Sequence, residues 1–142
     1  MSVASLLLPV FVQVALTFAL MGWMASHRVT AIRSGEVRPR DIALRQPNWP
    51  QRATQIANSF HNQLELPMLF YVLVALILTT STNSTIFVVL AWAFVVSRLV
   101  HAFIHTTSNR VDRRFYAMAA GMVILVVMWV IFAVRILAAE GV

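Results

Sequence analysis

Four long apolar runs dominate this chain and restrict its fold more than any other feature. The runs span about residues 3–26, 50–80, 85–107 and 115–139. Each is close to the roughly 20 apolar residues that a helix needs to cross the hydrocarbon core of a bilayer. Backbone polar groups must be paired within such segments, which favours helices. The sequence therefore predicts an all-α fold, with a single integral membrane domain over residues 1–142 that forms an up-down-up-down bundle of four transmembrane helices.

Charge and cysteine content exclude several classes of protein. Only 11% of the residues are charged, whereas soluble domains carry about 25%. The basic side chains are eleven arginines, which give a net charge of +6. Because most of them lie between the apolar runs, they indicate membrane orientation rather than nucleic-acid binding. The chain has no cysteine, so any thiol chemistry would need a sulfur atom supplied by a substrate.

The arginines concentrate in two of the three connections. The first connection carries Arg28, Arg33, Arg38, Arg40, Arg45 and Arg52, and the third carries Arg110, Arg113 and Arg114. The second connection carries no charged side chain. The positive-inside rule predicts that both arginine-rich connections are cytoplasmic and that both termini lie on the opposite side. We expect a membrane of the bacterial inner-membrane type.

Polar side chains within the second and third runs follow helical spacing. The two stripes consist of Gln51, Gln55, Asn58, Asn62 and Glu65, and of Arg98, His101, His105 and Asp112. Polar groups are costly in lipid, so we expect the two stripes to face each other inside the bundle. We also expect Glu65 and Arg98 to form an ion pair, within one subunit or with a neighbouring one. The second run is expected to form one helix of about 45 Å that continues through Pro67.

These stripes support two interpretations. They could serve only as hydrogen bonds that hold the helices together, or they could line a ligand pocket open to the cytoplasm. His101 and His105 could bind a metal with Glu65 as a third ligand, but neutral buried histidines are more common and no metal site is predicted. Ala117 and Gly121 indicate close helix packing, within or between subunits.

Three features of the chain resemble a known family. They are the plan of four short membrane helices with a basic first connection, the segment Asn62-Gln63-Leu64-Glu65-Leu66-Pro67, and the stretch from Ser97-Arg98-Leu99 through His101 to Arg113-Arg114-Phe115. Together they resemble the MAPEG family, the membrane-associated proteins in eicosanoid and glutathione metabolism. The resemblance implies a homotrimer with glutathione sites at the subunit interfaces. It also implies a glutathione thiolate that attacks lipophilic electrophiles or reduces hydroperoxides.

The resemblance also implies roles for individual residues. Asn62 and Glu65 match residues that contact glutathione, and Arg98 matches the arginine that opens the helix-three motif. Arg113 or Arg114 would stabilise the thiolate and would be the catalytic residue. This implies glutathione, or another thiol, as a co-substrate.

The chain departs from the family pattern at several positions. Asn58 stands where an arginine binds the glutathione carboxylate, and His101 and His105 replace two tyrosines. The spacing from Glu65 to the proline is one residue shorter. Arg52, or another arginine of the first connection, is the alternative partner for the carboxylate.

Three functions follow from these observations. The first is a thiol-dependent transferase or peroxidase that uses glutathione or another thiol, with the bilayer, further copies of the chain and a lipophilic electrophile as partners. The alternative is a non-catalytic membrane protein that binds a lipid or an anionic ligand and uses its polar interior for oligomer assembly. A small transporter is a third hypothesis, although no pair of broken helices supports it.

Overall fold

The computed structural model describes residues 2–140. Its helices are Val3–Arg33 (α1), Gln51–His61 (α2), Leu66–Thr79 (α3), Thr85–Thr106 (α4) and Val111–Glu140 (α5). Two short 3₁₀ turns occur at Pro39–Asp41 and Asn62–Leu64, and residues 2–140 contain no strand. Four spans are long and apolar enough to cross a membrane, namely Val3–Arg33, Gln51–Thr79, Thr85–Thr106 and Val111–Ala139. The prediction of an all-α bundle of four membrane-spanning helices is confirmed.

Contacts at the two ends of the bundle define an antiparallel arrangement. At one end the Gln55 side chain, near the start of α2, donates to the His105 carbonyl at the end of α4 (2.7 Å). At the other end Asn83, in the α3–α4 turn, donates to the Ser2 carbonyl before α1 (3.3 Å). Both arginine-rich connections therefore lie at one end of the molecule, here called the basic end. The opposite end is called the distal end. The cytoplasmic location of the basic end remains a prediction.

Helix α1 continues past its apolar run. It ends at Arg33, whereas the sequence predicted an end near residue 26. Gly35 has a φ of +76° and donates its N–H to the Ile32 carbonyl (3.1 Å). Glycine adopts this left-handed conformation without steric cost and commonly stops a helix. The extension adds about two turns and carries Arg28 and Arg33 beyond the apolar segment.

The second span is interrupted in the middle, unlike the continuous helix that the sequence predicted. Helix α2 ends at His61, the 3₁₀ turn follows, and Glu65 has non-helical backbone angles (φ −98°, ψ −100°). Pro67 then lies in the first turn of α3. Proline lacks an N–H and clashes with the preceding helical turn, but the first turn of a helix needs no such donor. The interruption moves Glu65 off the stripe that a continuous helix would have made.

The distal half of the bundle has an apolar core. Leu6, Phe70, Phe87 and Met128 are fully buried there, together with Phe94. The rings of Phe70 and Phe94 stack with their centroids 4.7 Å apart. Stacked aromatic pairs add to the packing energy of a membrane bundle, where dispersion rather than hydrophobicity holds the helices together.

Helices α4 and α5 approach each other closely at Gly121. A Cβ atom added to Gly121 would lie 2.6 Å from the Ser97 Oγ atom and 3.7 Å from the Arg98 Cδ atom. The Ser97 hydroxyl is already committed, because it donates to the Phe94 carbonyl (2.6 Å). Gly121 thus acts as a contact point between two helices of one subunit, which is one of the two placements that the sequence left open.

Candidate functional site

A polar cleft opens at the basic end of the bundle. Helix α2 and the turn after it form one wall, and the end of α4 with the start of α5 forms the other. The cleft has a volume of about 290 Å³ and is lined by Asn58, His61, Asn62, Glu65, His105 and Arg114. Five of these six side chains were predicted site residues. The structure therefore brings together side chains that are up to 56 positions apart, from Asn58 to Arg114.

Hydrogen bonds join the two polar stripes across α2 and α4. Besides the bond from Gln55 to the His105 carbonyl, the Asn62 Nδ2 atom lies 3.3 Å from the His105 Nδ1 atom. Arg52 donates to the Gln55 Oε1 atom (3.0 Å) and to the Thr106 carbonyl. The prediction that the stripes face each other is confirmed for these members. Gln51 and Asp112, at the outer ends of the stripes, are exposed.

Arg98 and Glu65 do not pair within the subunit, contrary to the expectation for a single chain. Arg98 is fully buried (0% exposed), and no ion pair within residues 2–140 includes either residue. The Arg98 Nη2 atom lies 3.5 Å from the Asn62 carbonyl oxygen and 3.3 Å from the His101 Nδ1 atom. The interruption of the second span turns Glu65 outward, so its carboxylate lines the cleft. Pairing with a neighbouring subunit stays a prediction.

The buried guanidinium of Arg98 also keeps unused donors. Its Nε and Nη1 atoms have no hydrogen-bond partner in the part of the chain that the structure describes. A buried cation without a carboxylate is costly. Its charge therefore favours an anion in the adjoining cleft.

His101 and His105 pack against each other, edge to face, with ring centroids 5.6 Å apart. His101 lies beside Arg98 in the interior, whereas His105 lines the cleft. Residues 2–140 contain no group of three His, Cys, Asp or Glu side chains that could hold a metal ion. The two rings lie between Arg98 and the cleft.

The structure separates the two candidate catalytic arginines. Arg114 is half-buried and lines the cleft, and its Nη1 atom donates to the Asn109 Oδ1 atom (2.7 Å). Asn109 has a φ of +49° in the tight α4–α5 connection, a conformation that asparagine tolerates better than most residues. Arg113 is exposed and does not line the cleft. Within the subunit, Arg114 is thus the better-placed cation.

The family model described as MAPEG family matches residues 6–134 of the 142-residue chain. The match includes most or all of each of the four spans and every residue of the polar cleft. The chain belongs to the MAPEG family. No curated protein and no solved structure matches it.

In this MAPEG protein, the segment that carried the resemblance, Asn62–Pro67, is not a stretch of regular helix. It forms the 3₁₀ turn and the helix start at the mouth of the cleft. The motif therefore presents Asn62 and Glu65 to the cleft while it interrupts the span. Asn58, one turn earlier on α2, points to the same cleft, so the site holds an amide where the family pattern has an arginine.

Two residues of the site were missed by the sequence analysis. His61 lines the cleft but was not selected, because it precedes Asn62 and falls beside the stripe rather than on it. Its spacing of three residues from Asn58 was the available signal. Asn109 was missed because its role depends on Arg114, which the α4–α5 connection brings near. An asparagine in a short connection between helices was the signal there.

Proposed function

We propose that this protein is a thiol-dependent transferase or peroxidase that uses glutathione and acts on lipophilic electrophiles in the polar cleft. The observation that carries the proposal is the charge arrangement of the cleft. An exposed carboxylate, Glu65, and a half-buried cation, Arg114, line one cavity with two amides and two histidines, and no ion pair joins them. A zwitterionic peptide that carries a thiol complements such a site.

Each end of the cleft suits one part of glutathione. Glu65 would accept hydrogen bonds from the ammonium group of the peptide, and Asn62 would bond its amide or carboxylate groups. Asn58 can donate to the remaining carboxylate without supplying charge. Arg114 would lie beside the sulfur, because it lines the cleft and its guanidinium is held by the hydrogen bond to Asn109.

The role proposed for Arg114 is to make the thiolate available at neutral pH. Opposite unit charges 4 Å apart attract by about 4 kcal/mol at an effective dielectric constant near 20. A free thiol has a pKa of about 8.5, and about 1.4 kcal/mol changes a pKa by one unit. One guanidinium is therefore sufficient to ionise the thiol, and the buried charge of Arg98 would add to the same effect.

Two reactions follow from a thiolate held at this position. In the transferase reaction, the sulfur forms a bond to an electrophilic carbon, and an epoxide oxygen or another leaving group departs and takes a proton from water. In the peroxidase reaction, the sulfur attacks the terminal oxygen of a hydroperoxide and the O–O bond breaks, which forms a sulfenic acid. The departing alkoxide takes a proton from water and is released as the alcohol. A second glutathione then reduces the sulfenic acid, which yields the disulfide and water.

We further propose that the protein is a homotrimer whose subunits complete the cleft. The cavity of about 290 Å³ in one subunit lies at the lower limit of the usual range for small-molecule sites. A neighbouring subunit would enlarge it and would cover the exposed Glu65. The lipid-soluble substrate would enter from the bilayer, next to the apolar faces of α3 and α5.

A non-catalytic role is the second candidate, and one observation favours it. The side chains of Gln55 and Asn62 already make bonds between α2 and α4 within the subunit. Such bonds hold membrane helices together without any ligand. In this alternative the polar interior is structural, and the cleft binds a lipid or an anion but no thiol.

Calorimetry of glutathione binding to the detergent-solubilised protein tests the proposal. Titrations between about pH 6.5 and about pH 9 span the pKa of a free thiol. We expect saturable binding that releases protons at the lower pH, since the bound form is the thiolate. We also expect Arg114→Ala to reduce turnover of a lipophilic electrophile by about 100-fold, as loss of one charge-stabilising donor does.

Arg113→Ala is the matched control, because it removes the same charge from the next residue but outside the cleft. We expect it to leave turnover within about twofold, as for other exposed charges. Absence of binding at millimolar glutathione by a well-folded protein would overturn the proposal. Equal losses in the two variants would contradict the specific role of Arg114.

A further inference from the structure

A second and larger cavity lies beside the polar cleft at the basic end. It has a volume of about 670 Å³ and lies between α1, the first connection and α2. Arg28 on α1, Arg45 and Trp49 in the connection, and Thr54 on α2 contribute to its wall. We call it the connection cavity. It shares two residues of α2 with the polar cleft but faces α1 instead of α4.

The wall of the connection cavity is basic. Two arginines and a histidine line it, and none of its lining residues is acidic. The nearest acid in the connection, Asp41, is already paired with Arg38 (2.8 Å) and Arg40 (3.7 Å). No ion pair within residues 2–140 includes Arg28 or Arg45, so the basic wall favours an anionic ligand.

Arg28 is held in place but keeps its hydrogen-bond donors available. Its guanidinium carbon lies 4.8 Å from the centroid of the Trp49 ring, in a cation–π contact. Its Nε atom is buried and has no hydrogen-bond partner among the described residues. Stacking on an aromatic ring restricts an arginine without using its donors. This prepares Arg28 for an acceptor with several oxygen atoms.

Arg45 is the second cation of the wall. It has a φ of +62°, in the left-handed region that non-glycine residues seldom adopt. The connection maintains this shape through its own hydrogen bonds, from the Leu44 N–H to the Gln46 Oε1 atom (2.9 Å) and from Asn48 to the Asp41 carbonyl (2.6 Å). Among residues 2–140, no hydrogen bond or ion pair engages the Arg45 side chain. The connection thus places a cationic side chain at the cavity wall from a residue whose backbone is strained.

The depth of the cavity indicates where its ligand comes from. Arg28 follows the end of the apolar run by two residues, which places it at the level of the lipid headgroups. Ile42, Ala57 and Leu64 make part of the wall apolar. A basic pocket with an apolar side, next to a membrane helix at this level, suits a phosphate group with a hydrocarbon portion.

We propose that the connection cavity is a phosphate-binding site, in which Arg28 and Arg45 bind the phosphate oxygens. The phosphate belongs to an anionic phospholipid or is free in solution, and the chemistry of recognition is the same. Arginine is suited to this role because its planar guanidinium binds two phosphate oxygens at once. The proposal goes beyond the thiol chemistry and does not depend on it.

Titration of the full chain in a non-ionic detergent tests the site, with calorimetry as the measurement. The three probes are dihexanoyl phosphatidylglycerol, dihexanoyl phosphatidylcholine and inorganic phosphate. We expect saturable binding of the anionic lipid and weaker binding of the zwitterionic one. Saturable inorganic phosphate binding that competes with the lipid would assign the site to free phosphate. Binding of phosphatidylglycerol alone would assign it to the headgroup.

Variants of the arginines locate the binding. Arg28→Gln and Arg45→Gln should each weaken binding by about tenfold, which corresponds to the loss of one charge-assisted hydrogen bond. Arg33→Gln is the matched control, because Arg33 lies on the same helix, is exposed and does not line the cavity. We expect it to change the affinity by less than about twofold.

Three results would overturn the proposal. They are absence of saturable binding of both phosphate probes to the unmodified protein, an Arg33→Gln effect equal to that of Arg28→Gln, and displacement of the bound probe by glutathione. The last result would assign the cavity to the thiol site. Since the titrations need no thiol and no turnover, their outcome is independent of the proposed enzymatic activity.

Discussion

The two halves of α4 have different surroundings, and the change occurs within about one helical turn, between Phe94 and Arg98. Phe94, on the distal side, is buried in an apolar core and stacks on Phe70. Arg98, four residues later, is equally buried but keeps two nitrogen atoms without a partner in the described chain. The first environment is complete within one subunit, whereas the second holds a cation that forms no ion pair within residues 2–140. This difference indicates that the distal half provides stability and that the half near the basic end provides the site.

The largest effect on stability is expected in the distal half. Phe94→Ala should lower the free energy of unfolding by about 3 kcal/mol, the lower part of the range for truncation of a buried phenylalanine. The lower part applies because lipid reduces the transfer term and leaves mainly the lost packing. Unfolding in mixed micelles would measure it. Turnover per folded molecule should not change.

Phe103→Ala is the control for this change, since the Phe103 side chain is 68% exposed on the same helix. It should alter the unfolding free energy by less than about 0.5 kcal/mol, as surface substitutions usually do. If the two variants were equally destabilised, the distal core would not be the main source of stability. The contrast between the halves of α4 would then be lost.

A smaller effect, of opposite sign, is expected for Arg98. Arg98→Met should leave the free energy of unfolding unchanged or raise it by about 1 kcal/mol, because it replaces an unpaired buried cation by an apolar side chain. Thiol-dependent turnover should fall at the same time, by about tenfold or more, since a buried positive charge next to the cleft is lost. Unfolding and kinetics on the same preparation would check both statements.

Destabilisation of the assembled protein by Arg98→Met would contradict this prediction. It would mean that Arg98 has an acidic partner in the oligomer, and Glu65 of a neighbouring subunit would be the first candidate. Glu65→Gln distinguishes the two cases. It should destabilise the oligomer by a similar amount if the charges pair across the interface, and it should have little effect on stability if they do not.

The smallest effect is expected for the buried amide pair between the first two spans. Gln13 Nε2 donates to Gln63 Oε1 (3.0 Å), and Gln63 donates in turn to the Ser59 carbonyl (3.1 Å). A double-mutant cycle with Gln13→Leu and Gln63→Leu should give a coupling energy of about 0.6 kcal/mol, typical of hydrogen bonds between membrane helices. A coupling energy of zero would show that this hydrogen bond does not stabilise the polar half of the bundle.

Much of the fold was predictable, because a bilayer accepts few backbone arrangements. The four spans follow from the apolar runs, and the close contact at Gly121 follows from its lack of a side chain. The helix ends were harder to predict from the sequence. The end of α1 at Arg33 depends on the left-handed conformation of Gly35, and the interruption before Pro67 depends on how the turn at 62–64 packs between α2 and α3.

The candidate site was predictable as a set of residues but not as an arrangement. Helical spacing selected Asn58, Asn62 and His105, and the structure places all three in one cleft. Spacing could not distinguish Arg114 from Arg113, because they are adjacent and the start of α5 decides which one turns inward. It also could not show that Glu65 and Arg98 remain apart within the subunit, since that depends on the interruption of the second span.

The sequence by itself determined that this protein lies in a lipid bilayer, to which family it belongs and which residue types are available for its chemistry. The hydropathy of each apolar run indicates a membrane span, and a few residue identities in the motif indicate the family. Neither requires knowledge of contacts between distant residues. The tertiary structure alone decided which charges are neutralised. Among residues 2–140 it leaves Arg98 and Arg28 with donors that have no partner, and it places Glu65 in a cleft. Each of these outcomes depends on helix rotation and on a connection that brings distant segments within hydrogen-bonding distance.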